Sequence, residues 1–395
     1  MTLYVILFHG DLGTGDRIFS LQLRRSIEDS PWDRFQYVIF IPGLFHVKMA
    51  CADAIYRLFI KHPDARVDET SLMHDISKLR PKETGIISSS PGFRRMHQVI
   101  MHAGICRRLD CWRTLVSQLD NKHATLESFA KAEPDFHTLQ TLANKFTQQY
   151  VANHNLDRLR QQPAAQRDQQ FENSTLLNKY CLLYEELTYA MNAGDIGRVE
   201  LCLLPWIFIF RGTGKHKYAS HLLRFLLDVH FLYNERLRHA VRSNWLVNPN
   251  GKMNSFRGAD WCNELLNLWT KVEHGGTGSN RTVDYIIKES PLVQTYQNIR
   301  KTIDKNFLLN RLATSHTGPN MLKTFQETME HLSKHNPHKI QPGRKTARTI
   351  LDAIDRGRAM LPSGGTAGAA LTSEAVDDED EDPPANDDNL LVELI

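Results

Sequence analysis

Asp11 and His46 are polar residues standing just past two apolar runs, where an α/β fold places its chemistry. The first run is Leu3-Tyr4-Val5-Ile6-Leu7-Phe8, closed by His9-Gly10-Asp11. The second covers Phe35 to Gly43 and ends on Leu44-Phe45-His46. A strand-end carboxylate suits a hard cation such as Mg2+. One carboxylate does not build a two-ion centre, which groups several acids around ions about 3.5–4 Å apart. Glu185, Glu186, Asp195 and Glu200 are candidates for the remaining acids. Glu185 and Glu186 also read as plain surface charge, and Asp195 as a helix cap.

Positioning Asp11 and His46 takes a strand, helix, strand, helix order over the first sixty residues. Both apolar runs are rich in β-formers and bounded by Gly, so both read as buried strands. Asp16 reads as the cap of the first helix, which Pro31-Trp32-Asp33 stops. Beyond residue 60 the strand signals nearly vanish. Helical spacing recurs over roughly 93–118, 124–132, 135–160, 174–192, 195–210, 214–246, 258–273, 282–290, 292–308 and 319–335. In the 214–246 segment, Tyr218, Leu222, Phe225, Leu226, Val229 and Leu232 form a core-facing stripe. From Asn336 onward order is expected to fade, with a linker and short helix over 341–362 and a disordered tail over 363–395. The expected organisation is therefore an α/β unit over 1–60 and a mainly helical region over 61–340, followed by those two segments.

Charge suggests a polyanionic partner. The tail from Ser363 holds ten acidic residues and no Lys or Arg; removing them leaves 48 basic against 35 acidic side chains, a balance of +13. Such a body attracts phosphates, and the tail would compete for the same surface. Arg94, Arg95, Arg107, Arg108 and Arg113 intermix with Phe93 and Trp112, a pattern suited to phosphates and stacked bases. Lys215 and Lys217 continue the basic set, and Arg281 stands in the loop Gly275-Gly276-Thr277-Gly278-Ser279-Asn280-Arg281-Thr282. The alternative for all of them is a solvated basic face. The glycine clusters at 10–15 and 212–214 lack the order of a dinucleotide fingerprint or a P-loop.

No apolar run reaches the roughly 18–20 residues of a membrane span, so no membrane partner is expected. The six cysteines make no CxxC pair and read as buried reduced thiols of a nuclear or cytoplasmic protein. His97 and His102, like His216 and His221, are five apart and so miss the shared face of a metal-binding helix pair.

Several strings together carry a resemblance. They are His9-Gly10-Asp11-Leu12-Gly13-Thr14-Gly15-Asp16-Arg17-Ile18, Gly43-Leu44-Phe45-His46-Val47-Lys48-Met49-Ala50, Asn192 to Glu200, Lys215-His216-Lys217-Tyr218-Ala219 and Gly276 to Thr282. The chain resembles, over roughly residues 3–335, a large uncharacterised family expanded in basidiomycete fungi, the domain of unknown function 6589. A looser likeness is to RNase H-like transposases of the Mutator and hAT type. It implies a truncated RNase H-like core with a large helical region, and Mg2+-assisted phosphodiester cleavage in an intact relative. Under it Asp11 is the second metal-binding Asp, His46 the motif histidine and Glu200 the last acid. The first catalytic Asp of that pattern has no counterpart here, which implies a catalytically incomplete relic that binds DNA. The same reading expects the first strand at an exposed edge of a small sheet. The alternative is a non-enzymatic helical scaffold.

Overall fold

The computed structural model describes residues 4–119, 125–152, 156–274, 282–307 and 320–360. The chain is mainly helical. It opens with β1 (Ile6–Gly10), α1 (Leu12–Arg24), β2 (Val38–Pro42) and α2 (Leu44–Phe59). Short helices α3 (Leu72–Leu79) and α4 (Thr84–Ser89) lead into the long α5 (Gly92–Leu119). Then come α6 (Leu126–Lys131), α7 (Phe136–Tyr150), α8 (Leu156–Arg160), α9 (Gln169–Ala193), α10 (Ile196–Gly212) and α11 (His216–Leu227). A π-helical turn at Asp228–Leu232 precedes α12 (Glu235–Asn244). The two-residue strands β3 (Leu246–Val247) and β4 (Arg257–Gly258) lead to α13 (Ala259–His274). The last helices are α14 (Val283–Glu289), α15 (Val293–Asn306), α16 (Leu322–His335) and α17 (Ala353–Ala359).

These residues fall into two compact units, each discontinuous in sequence. Unit 1 takes its described residues from 4–46 and 232–307, and unit 2 from 47–231 and 320–360. The division lies inside α2, between His46 and Val47.

Unit 1 is built on β1 and β2, which pair in parallel with Ile6 opposite Val38 and Gly10 opposite Pro42. Among the described residues β2 is the only partner of β1. Parallel strands are ordinarily covered on both faces, yet Ile6 is 51% and Phe8 48% exposed. β1 is thus not the buried strand its apolar run suggests; it lies at an exposed edge of a small sheet. Coverage improves on β2: Phe40, paired with Phe8 and so on the same face, is buried with its ring edge-on to Phe19 of α1, and Ile41 on the opposite face is buried too.

The sequence places several helix ends differently from the structure. Asp11, not Asp16, caps α1, its Oδ1 accepting the Thr14 backbone N–H at 2.7 Å. The basic 214–246 segment is two helices, because Asn234 caps a new one by accepting the Leu237 N–H. Its apolar stripe ends at Val229, and Leu232 is exposed. The structure also adds α3 and α4 in the stretch between residues 61 and 92, for which periodicity gave no sign.

Unit 2 has a core of apolar rings and aliphatic side chains with ion pairs buried inside it. Tyr180, Tyr184, Trp206 and Phe210 are fully buried. Arg107 is buried as well, its Nε 2.6 Å from Asp75 Oδ2 and its Nη2 donating to the Thr70 carbonyl. The residues after Asn336 are firmly attached rather than loose. Arg344 donates from Nε and Nη2 to the two carboxylate oxygens of Asp168 at 2.8 and 2.7 Å. His338 meets Asp110 at 2.6 Å with both side chains buried. α17 packs on α10 at a very close approach: a Cβ added at Gly357 would lie 1.9 Å from the Phe208 carbonyl oxygen. Five cysteines are buried and none is bonded to another, and burial pushes Cys106 and Cys181 up to about 12. The acidic tail lies outside the described residues.

Candidate functional site

The carboxyl ends of β1 and β2 collect ionisable groups from three parts of unit 1. β1 delivers His9 and then Asp11, α2 delivers His46 in its first turn, and α13 delivers Asp260 and Glu264. Asp260 organises the cluster. It is 1% exposed, and its Oδ1 and Oδ2 accept the backbone N–H groups of Phe45 at 3.1 Å and His46 at 3.0 Å. Those donors belong to the first turn of α2 and have no partner within the helix, so Asp260 caps α2 from a helix 214 residues away in sequence. The approach depends on Gly43, since a Cβ there would lie 2.2 Å from Asp260 Oδ2.

The same carboxylate orients His46. Asp260 Oδ2 is 3.0 Å from His46 Nδ1, and Glu264 Oε1 is 3.6 Å from His46 Nε2. The imidazole is therefore held between two acids that are four residues apart on one face of α13. Three further bonds fix the surroundings. Trp245 Nε1 donates to the Pro42 carbonyl at 2.8 Å, Ala259 N to the Trp245 carbonyl at 3.2 Å, and Asn263 Nδ2 to the His9 carbonyl at 3.2 Å.

The local field is uneven. Burial pushes the His9 imidazole below its ordinary value, although Asp260 pulls the other way. Burial would raise the Asp11 carboxyl, but the Thr14 hydrogen bonds, with His46 and Arg17 assisting, more than offset it and hold the group low. Asp11 is thus an ionised helix cap. As arranged, the acids fit a Mg2+ centre poorly. Both Asp260 oxygens accept hydrogen bonds, and Asp11 Oδ1 is engaged by α1. The trio of ligand atoms lying within 4.8 Å of one another among the described residues includes neither Asp11 nor Glu200.

The other sequence candidates have local roles in unit 2. Glu200, on α10, lies 3.5 Å from His230 Nε2 and does not belong to the unit that holds Asp11. Asp195 caps α10 through the Arg198 N–H, and Glu186 pairs with Arg198 at 2.7 Å. Glu185 is buried against Arg108 at 2.5 Å, and burial raises its carboxyl despite that partner.

Much of the expected basic surface is neutralised within the protein. Arg107 is buried against Asp75. Lys215 is also buried, its Nζ 2.8 Å from Asp53. Arg95 pairs with Glu83 at 3.2 Å and Arg108 with Glu185. Lys217 is exposed and Arg94 partly so, and Arg281 lies outside the described residues. Sequence reasoning did not single out Asp260 or Glu264. The signal was available in their i, i+4 spacing at the start of a helix that follows Gly258.

The family of unknown function DUF6589 matches residues 2–316. The chain belongs to that family. No curated protein and no solved structure matches it. Family membership covers both strands, the strand-end cluster and nearly all of the chain up to α16. No helix among the described residues is long and apolar enough to cross a membrane.

Proposed function

We propose that this DUF6589 chain is a transposon-derived nucleic-acid-binding protein whose strand-end cluster is a catalytically incomplete version of a Mg2+-dependent nuclease centre. One observation carries the reading. Asp11 and His46, at the ends of paired parallel strands, share a unit with acids on α13, and a long helical segment separates the two in sequence. That order is the one implied by the likeness to RNase H-like transposases, with Asp260 or Glu264 replacing Glu200 as the late acid. The incompleteness rests on how the acids are used: Asp11 and Asp260 are tied up as helix caps. The net positive body supplies the attraction for phosphate.

A second reading has its own support. The internal pairing of Arg95, Arg107, Arg108 and Lys215 favours a helical scaffold that contacts proteins rather than DNA. The two separate on labelled duplex DNA mixed with the full chain, with and without Mg2+. The leading reading expects binding that weakens with salt and no Mg2+-dependent cleavage. Absence of binding at low salt favours the scaffold. Cleavage lost in Asp11→Asn would show a working centre and refute the incomplete one.

A further inference from the structure

Unit 2 holds a second group of ionisable side chains, in which the strand-end cluster has no part. Glu69 precedes α3, His74 lies in the first half of α3, and His331 lies on α16. One ligand atom from each lies within 4.8 Å of the other two. His335 stands one turn beyond His331 on α16, with its Nε2 3.8 Å from Glu69 Oε2 and the two rings 4.5 Å apart. Histidines four apart share a helix face, the spacing that the 97/102 and 216/221 pairs lack.

We propose that Glu69, His74, His331 and His335 bind a divalent transition-metal ion such as Zn2+, which ties α16 to α3.

The geometry is close to what such an ion needs. With bonds of about 2.0–2.1 Å, a tetrahedral Zn2+ sets its ligand atoms roughly 3.3 Å apart. Glu69 Oε2 and His74 Nδ1 already stand 3.2 Å apart. His74 and His331 lie ring over ring, nearly parallel, with centroids 6.0 Å apart. His331 Nε2 is 2.8 Å from the Glu69 carbonyl oxygen. A backbone acceptor of that kind fixes the tautomer of a ligating imidazole and leaves Nδ1 as its lone-pair nitrogen. Imidazole nitrogens with a single carboxylate select a transition ion over Mg2+ or Ca2+, which take oxygen ligands. Glu69 is exposed and His335 partly so, which gives an ion a path from solvent. His331 and Glu69 are 262 residues apart in sequence, so the ion would join distant stretches of the chain and stabilise unit 2 by mass action.

The test uses the full chain, freed of metal by a chelator and titrated with Zn2+ against a chromophoric competitor. One ion per chain is expected, with a rise in melting temperature that the chelator reverses. Glu69→Gln removes a carboxylate charge and His335→Ala an imidazole at the accessible side of the group, and both should leave the metal-free circular dichroism unchanged. Each is expected to weaken Zn2+ binding about tenfold or more. Co2+ added to the wild-type chain should give the visible absorption of a low-symmetry nitrogen and oxygen site, a readout that needs no variant to fold. No Zn2+-induced stabilisation, or equal affinity in both variants and wild type, would overturn the proposal.

Discussion

At the residue scale, Asp260 of α13 holds the first turn of α2 beside the end of β2. Its carboxylate accepts from Phe45 N, His46 N and His46 Nδ1, so removing it leaves three donors without that acceptor. Asp260→Ala is expected to destabilise unit 1 by about 2–4 kcal/mol. The sharper readout is amide hydrogen exchange, which should accelerate at Phe45 and His46; unchanged protection there would contradict the capping role. His97 supplies a pH dependence. Burial, with Lys48 and His102 adding to it, pushes this imidazole down to about 3, and Nδ1 meets the Tyr184 hydroxyl at 2.9 Å. In the unfolded chain the same group protonates near 6.5. The unfolded state therefore takes up a proton that the folded state refuses between those values, and stability falls as pH drops through that window. Denaturant unfolding at pH 7 and pH 5 should differ by about 1–2 kcal/mol from this group. His97→Asn should flatten the difference, and an equal pH dependence in the variant would refute the assignment.

At the element scale, most helices were legible because their apolar spacing is regular. α5, α9, α10, α13, α15 and α16 lie close to the expected stretches, and β1 and β2 were found, whereas the two-residue β3 and β4 were not. What escaped had physical causes. α3 and α4 are too short for a periodic pattern to stand out. The break before α12 depends on one cap, Asn234, inside an otherwise continuous pattern. The short helix expected after the linker at 342–345 is present as α17, but the fading of order expected from Asn336 is not. The attachment of residues 336–360 through Arg344, His338 and Asp352 uses partners from distant parts of the chain. The late acids were missed for a related reason: only the fold brings α13 to His46. The α10–α17 contact offers a direct check on this scale. Gly357→Ala would press a methyl group against the Phe208 carbonyl. It is expected to cost about 1–3 kcal/mol and to open 345–360 to limited proteolysis, whereas an unchanged digestion pattern would show that the contact is not needed.

At the scale of the whole molecule, charge and its internal pairing pull in opposite directions. The sequence balance of +13 before the tail suggests strong attraction to phosphate. The structure moderates that expectation, since Arg107 and Lys215 are buried in ion pairs and several other cations face carboxylates. The basic set read from the sequence therefore overstates the surface, because residue type alone does not reveal an internal partner. Exposed cations remain, among them Lys217 in unit 2 and Arg300, Lys301 and Lys305 on α15 of unit 1. The central claim, that this chain binds nucleic acid, is tested most directly by fluorescence anisotropy of a labelled duplex over a salt series. About four phosphate contacts would weaken binding about a hundredfold between 50 and 200 mM salt. Linear loss of log affinity with log salt at that slope is the expected result; no binding at 50 mM salt would contradict it.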